Sequence, residues 1–135
     1  MHCNFFVLCQ WAGRLDSGAP LLHGIFRHIV VGPMPARLDP FFIAFEIEAD
    51  YDETDATYVF VLRMIDQDGR VHLEHQLEVT FARRPDLGPS YVYFSRQLHF
   101  DRLIDRPGIY RFDLTAGEKP VGELRFEILE RPPFG

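Results

Sequence analysis

The stretch YVFVLRMIDQDGRVHLEHQLEVTF, residues 58–81, decides the fold class. Its first eight residues are aromatic, β-branched or long apolar side chains broken only by Arg63, a composition suited to a pleated surface. Asp66-Gln67-Asp68-Gly69 follows, with Gly69 placed to supply the positive φ of a tight hairpin. The return run then alternates by twos. Val71, Leu73, His75, Leu77, Val79 and Phe81 share one face, and His72, Glu74, Gln76, Glu78 and Thr80 share the other. A period of two over ten residues is the signature of a half-buried strand.

Working outward, the same period recurs. In FFIAFEIEAD, residues 41–50, Phe41, Ile43, Phe45 and Ile47 oppose Glu46 and Glu48. At the N-terminus, residues 4–12 read as a strand, RLDSGAP (14–20) as a turn, and residues 21–31 as the return strand. GPMPARLDP, residues 32–40, carries three prolines that forbid regular pairing and mark a crossing between sheets. SYVYFSRQLHF (90–100) follows the RRPDLGP loop (83–89). IYRFDLT (109–115) turns at Ala116-Gly117 and pairs with VGELRFEIL (121–129). Only residues 100–108 offer room for a short helical turn. Eight strands with no helix to cover them must cover each other, which predicts an all-β, two-layer antiparallel β-sandwich with Greek-key or jelly-roll crossings. Residues 1–135 form one domain in this reading, with 130–135 a frayed end.

Composition narrows the function classes. The net charge is −6 and Lys119 is the one lysine, with Arg83-Arg84 the only basic doublet. Binding to nucleic acid or to an anionic membrane needs clustered cations, so both partners are set aside. No Lys or Arg precedes Arg14, and the apolar run Phe5 to Cys9 stops at Gln10. That is too short for a signal h-region or a membrane span, and a cytoplasmic protein is expected. Cys3 and Cys9 sit on one strand about 20 Å apart, beyond disulfide reach, and read as free, small thiols, buried or half-buried.

Some strands are apolar on both faces. Tyr58, Phe60, Leu62 and Met64 oppose Val59, Val61 and Ile65; Phe5, Val7, Cys9 and Trp11 oppose Phe6 and Leu8. A two-layer monomer would expose one such face, and large apolar patches mark partner sites. A protein partner or a homodimer is therefore expected, with Phe6, Leu8, Tyr58, Tyr91 and Tyr93 as contact residues. Alternatively, loops cover those faces.

Chemistry-bearing residues are few. His72, Glu74 and His75 suggest metal ligands, but alternation separates His72 from His75, leaving a solvated and a packed histidine as the competing reading. Glu48, Asp50, Asp52, Glu53 and Asp55 crowd one loop. Asp50, Asp52, Glu53 and Asp55 are calcium candidates if a second loop supplies further oxygens. Ser17, Ser90 and Ser95 lie in no nucleophile context, no phosphate-binding glycine loop is present, and no cofactor is implied.

Taken in order, FVLCQWAGRLDSG, HGIF, GPMPARL, the Asp68-Gly69 hairpin, PGIYRFDL and VGELRFEI resemble a family of small bacterial β-sandwich proteins with no assigned activity. Pro107, Gly108 and Tyr110 are also similar to the corner of immunoglobulin-like and fibronectin-like domains, where a tyrosine pins the start of a strand. The resemblance implies a fold and no catalytic residues. The expected function is a non-catalytic domain acting through protein contacts and self-association. A calcium- or small-ligand-binding module using residues 48–55 and a metal-dependent enzyme using His72 or His75 stay open as alternatives.

Overall fold

A computed structural model describes residues 1–132. The chain is all-β, with nine strands among those residues: β1 (His2–Arg14), β2 (Pro20–Phe26), β3 (His28–Val31), β4 (Phe41–Ala49), β5 (Thr57–Ile65), β6 (Val71–Thr80), β7 (Ser90–Leu98), β8 (Gly108–Ala116) and β9 (Lys119–Glu130). They form a four-stranded sheet in the order β2-β1-β4-β7 and a five-stranded sheet in the order β3-β9-β8-β5-β6. The five-stranded sheet is curled into a half-barrel.

Nine strands replace the expected eight because residues 21–31 split. The chain bends at Arg27, whose C=O accepts the Glu127 N–H at 2.9 Å, and β3 leaves the β1 partner to join the other sheet. There β3 runs parallel to β9, against the all-antiparallel expectation. The proline-rich segment 32–40 then carries the chain back across to β4, as its composition requires. Residues 100–108 form no helical turn; Ala36 and Ile104 instead exchange backbone bonds of 3.0 and 2.7 Å. Asp66 and Gly69 close the β5–β6 hairpin as read from sequence, with Gly69 at φ +83° and its N–H on the Asp66 C=O. At the C-terminal end, β9 reaches Glu130 and the Arg131 N–H donates to the Val31 C=O. Fraying was expected from residue 130; residues 133–135 of that segment lie outside the described residues.

One core joins the sheets. Leu8, Ile43, Phe45 and Leu98 from the four-stranded sheet meet Phe60, Leu62, Phe112 and Ile128 from the five-stranded one, all essentially inaccessible. Phe41 bridges them edge-on to Phe112 at 6.4 Å between ring centroids. Each such aromatic side chain contributes about 1.5–3 kcal/mol by leaving water. β1 approaches β9 closely because Gly122 has no side chain: a Cβ there would stand 3.2 Å from Cys3 Sγ and from the Phe6 ring.

Apolar residues on the outer face of the four-stranded sheet have a second role. Cys9, Ala44 and Tyr93 are buried there, packed with Ala12, Phe5, Val7, Leu22 and Phe42. The β1–β2 hairpin runs past the sheet and folds its tip across that face. Arg14 donates to the Tyr93 C=O at 2.6 Å, and its guanidinium lies 4.8 Å from the Tyr93 ring centroid, although β4 separates β1 from β7 in the sheet. The two apolar faces of β1 are thus explained within one chain: one looks into the main core and the other packs in the second cluster with the hairpin.

Candidate functional site

The richest set of titratable groups lies at the β5–β6 turn and along β6. Asp66 is buried at the end of β5, where its Oδ1 accepts the N–H groups of Asp68 and Arg70, each at 2.9 Å. Its Oδ2 stands 2.9 Å from His72 Nε2. The β5–β6 register passes from Met64↔Leu73 to Ile65↔Val71, so His72 is the extra residue of a bulge. That bulge turns the imidazole inward, onto Asp66 and against the edge of the Tyr110 ring at 5.5 Å. Sequence alternation assigned His72 to a solvated face; its side chain is only 13% exposed because the bulge breaks the alternation.

Tyr110, early in β8, donates its hydroxyl to the Arg106 C=O at 2.7 Å, the corner expected of Pro107-Gly108-x-Tyr110. Arg106 pairs with Asp68, and Arg70 with Asp105 at 3.2 Å. Burial pushes the Asp66 carboxyl up, but the hydrogen bonds from His72 and the Arg70 N–H, with the nearby His72 and Arg106 charges, hold it below the usual carboxylate range. Burial, and then the Asp66 charge, push the Tyr110 hydroxyl up.

His75 lies on the inward face of β6, half-buried, and desolvation followed by the Arg96 charge holds its imidazole below the usual histidine range. His72 and His75 line a cleft of about 370 Å³ between residues 71–75 and residues 99–104, together with His99, Asp101 and Arg102. The structure does not make these side chains one metal centre. His72 is committed to Asp66, and among the described residues no three His, Cys, Asp or Glu side chains gather to hold an ion. What the arrangement does chemically is fix one imidazole by a buried carboxylate and so lock the turn onto β8. His99, Arg102 and the Tyr110 contact to His72 were not singled out from sequence, and Asp66 was read only as part of the turn and as a possible second-loop oxygen donor for calcium. The signal for Asp66 was present, since an Asp two residues before Asp-Gly can cap its own turn.

The acidic loop is engaged residue by residue. Tyr51–Glu53 forms a single 3-10 turn, capped by Asp50. Glu53 accepts the Asp50 N–H at 2.9 Å and the Met1 ammonium at 2.8 Å on each oxygen. Those hydrogen bonds, the ammonium's first, lower its carboxyl. Asp55 adopts φ +59° and faces Arg83 at 3.4 Å. Among the described residues, no three of the carboxylates at Asp50, Asp52, Glu53 and Asp55 gather to hold an ion.

Of the expected contact residues, Phe6 and Leu8 pack into the main core, Phe6 edge-on to Phe45 at 5.7 Å. Tyr58 packs against the same core and donates its hydroxyl to the Glu53 C=O at 2.8 Å. All three pack toward the main core; for Phe6 and Leu8 the bulge between Cys3 and Phe5 sets which parity of β1 faces inward. Tyr93 sits under the hairpin, and Tyr91 is half exposed at the start of β7. Among the described residues, the hairpin carries four exposed large apolar side chains, Trp11, Leu15, Leu21 and Ile25, each 40–57% accessible, and others, Leu87 the most exposed, are scattered over the rest of the surface. Both cysteines are free. No described helix is long and apolar enough to cross a membrane.

Comparison with known proteins bears on the fold. No curated protein matches the chain. The alkylpurine DNA glycosylase AlkC of Pseudomonas fluorescens, solved bound to DNA containing an abasic site analog, shares 12% identity at a TM-score of 0.55. The match covers 95% of this chain and 30% of that one. A β-glucosidase from Listeria innocua, solved with isofagomine, shares 13% identity at a TM-score of 0.53, over 94% of this chain and 16% of its own. The chain therefore spans less than a third of either enzyme, and at these identities the likeness is one of fold alone. A family model described as a family of unknown function, DUF6941, matches residues 4–129, and the chain belongs to that family.

Proposed function

We propose that the chain is a non-catalytic cytoplasmic β-sandwich of immunoglobulin-like strand order, from a bacterium, that acts through protein contacts, self-association among them. The observation that carries this reading is the β1–β2 hairpin. Its buried side roofs its own sheet, while Trp11, Leu15, Leu21 and Ile25 on the remaining surface stay open to solvent. Apolar side chains grouped on one projecting element are what a partner surface provides. The sandwich is supported by the single core between the two sheets. The immunoglobulin-like order is supported by strands that switch sheets after β2, β3, β4, β6 and β7, by the parallel β3–β9 edge, and by the Tyr110 corner. The Asp66–His72 pair fits a structural role, since all its bonds close the turn.

Site-specific photo-crosslinking tests this reading. A crosslinker at position 11 or 25 is expected to capture protein, and one at exposed Arg125, on the far sheet, is not. No capture at 11 or 25, with the purified chain monomeric at every concentration, would overturn it.

A further inference from the structure

We propose that the cleft where the chain crosses between its sheets binds a small organic monoanion, an apolar body carrying one carboxylate. The cleft, of about 530 Å³, opens where β3 parts from β2 at Arg27 and where residues 37–41 return the chain to the four-stranded sheet. Its volume lies in the range of small-molecule sites and exceeds the 370 Å³ of the cleft at His72. It shares none of the exposed apolar residues of the hairpin, so it stands apart from the function proposed above.

One part of the lining is apolar. Phe26 and Ile29 are half-buried, Val31 and Phe41 are buried, and the Phe26 and Phe41 rings meet edge-on at 5.6 Å between centroids. An aliphatic or aromatic body laid there covers apolar surface that the chain itself leaves partly open to water. The other part is cationic. Arg37 and Arg131 come from segments distant in sequence, and among the described residues neither guanidinium has a carboxylate within ion-pair distance, whereas seven other arginines do. His28, also on the lining, is turned to Glu127 at 4.0 Å. Asp39 is the one carboxylate of the cleft. Two guanidinium charges against one carboxylate leave a single positive charge, on a chain whose net charge is −6. A monoanion neutralises that charge, and the planar fork of a guanidinium matches a carboxylate. The main chain supplies a further donor. The Arg27 and Val31 carbonyls accept N–H groups from β9 and Arg131, so alternation turns the N–H groups of His28 and Val30 to the opposite side. No residue of β9 lines the cleft, which therefore lies on that free side of β3.

The test is titration of the full chain with 3-phenylpropionate, with its neutral amide and with acetate, followed by amide chemical shifts in NMR. For a ligand this small the dissociation constant is expected on the order of a millimolar. The shifts should saturate and centre on residues 28–32 and 37–41, and both the amide and acetate should bind more weakly than 3-phenylpropionate. Arg37 and Arg131 are exposed, so substituting them leaves the core untouched. Arg37→Gln and Arg131→Gln are each expected to weaken binding roughly three- to thirtyfold, and Asp39→Asn to tighten it roughly two- to fivefold. Binding that ignores both arginine variants, an amide that binds as well as the acid, shifts centred on Trp11 and Ile25, or no saturable shift at all overturns the assignment. Each of these results leaves the hairpin contact standing, because that contact is read by crosslinking at positions 11 and 25.

Discussion

Two buried tyrosines, one with a hydrogen-bonded hydroxyl and one without, predict opposite responses to the same deletion. Tyr110 donates its hydroxyl to the Arg106 C=O at 2.7 Å, whereas the buried Tyr93 hydroxyl has no partner among the described residues. Tyr110→Phe removes a net contribution of about 0.5–1.5 kcal/mol and strips a carbonyl of its donor, for a loss of about 1–2 kcal/mol. Tyr93→Phe removes a group whose dehydration costs about 1–3 kcal/mol unrewarded, offset in part by the small void left behind, for a gain of about 1 kcal/mol. Urea unfolding with matched m-values measures both. The melting temperature should fall by about 3–6 °C for Tyr110→Phe and rise by about 3 °C for Tyr93→Phe. If Tyr93→Phe loses stability as Tyr110→Phe does, the hydroxyl under the hairpin is paired and the account of that second core is wrong.

Other outcomes follow from the same geometry. Asp66→Asn should cost about 1.5–3 kcal/mol at pH 7, because it weakens a charge-assisted bond to His72. Since the folded Asp66 carboxyl lies below its unfolded value, its contribution is present above about pH 4 and is lost as pH falls through the folded value, so an acid titration of wild type and variant should converge. His75 is also depressed in the folded state, so stability should decline as pH drops below about 6.5, and His75→Gln should flatten that slope. Leu62→Ala should lose about 2–5 kcal/mol by chemical denaturation. Added calcium should leave the melting temperature unchanged, because the acids of residues 50–55 do not converge; a rise that grows with calcium concentration would reverse that reading.

The β5–β6 and β8–β9 hairpins were legible because their alternation and turn residues are local. So was the Tyr110 corner, carried by Pro107, Gly108 and Tyr110 in four consecutive positions. The facing of β1 was not legible: with Phe5, Val7 and Cys9 opposite Phe6 and Leu8, both parities are apolar, and a period of two cannot say which one meets the core. The folded-back hairpin was likewise hidden, since it depends on Arg14 reaching Tyr93, nearly eighty residues away in sequence. The division of residues 21–31 turns on a bond from Glu127 to Arg27, again non-local. At the candidate site, the histidines were visible as residue types. Their separation required the bulge at His72, which a single extra residue in the register creates and no alternation pattern announces.

The most direct measurement is the molar mass of the untagged chain by light scattering coupled to size exclusion, from micromolar to millimolar concentration. The account predicts a mass that climbs from 15.7 kDa toward twice that value as concentration rises. A folded chain that stays at 15.7 kDa throughout contradicts it.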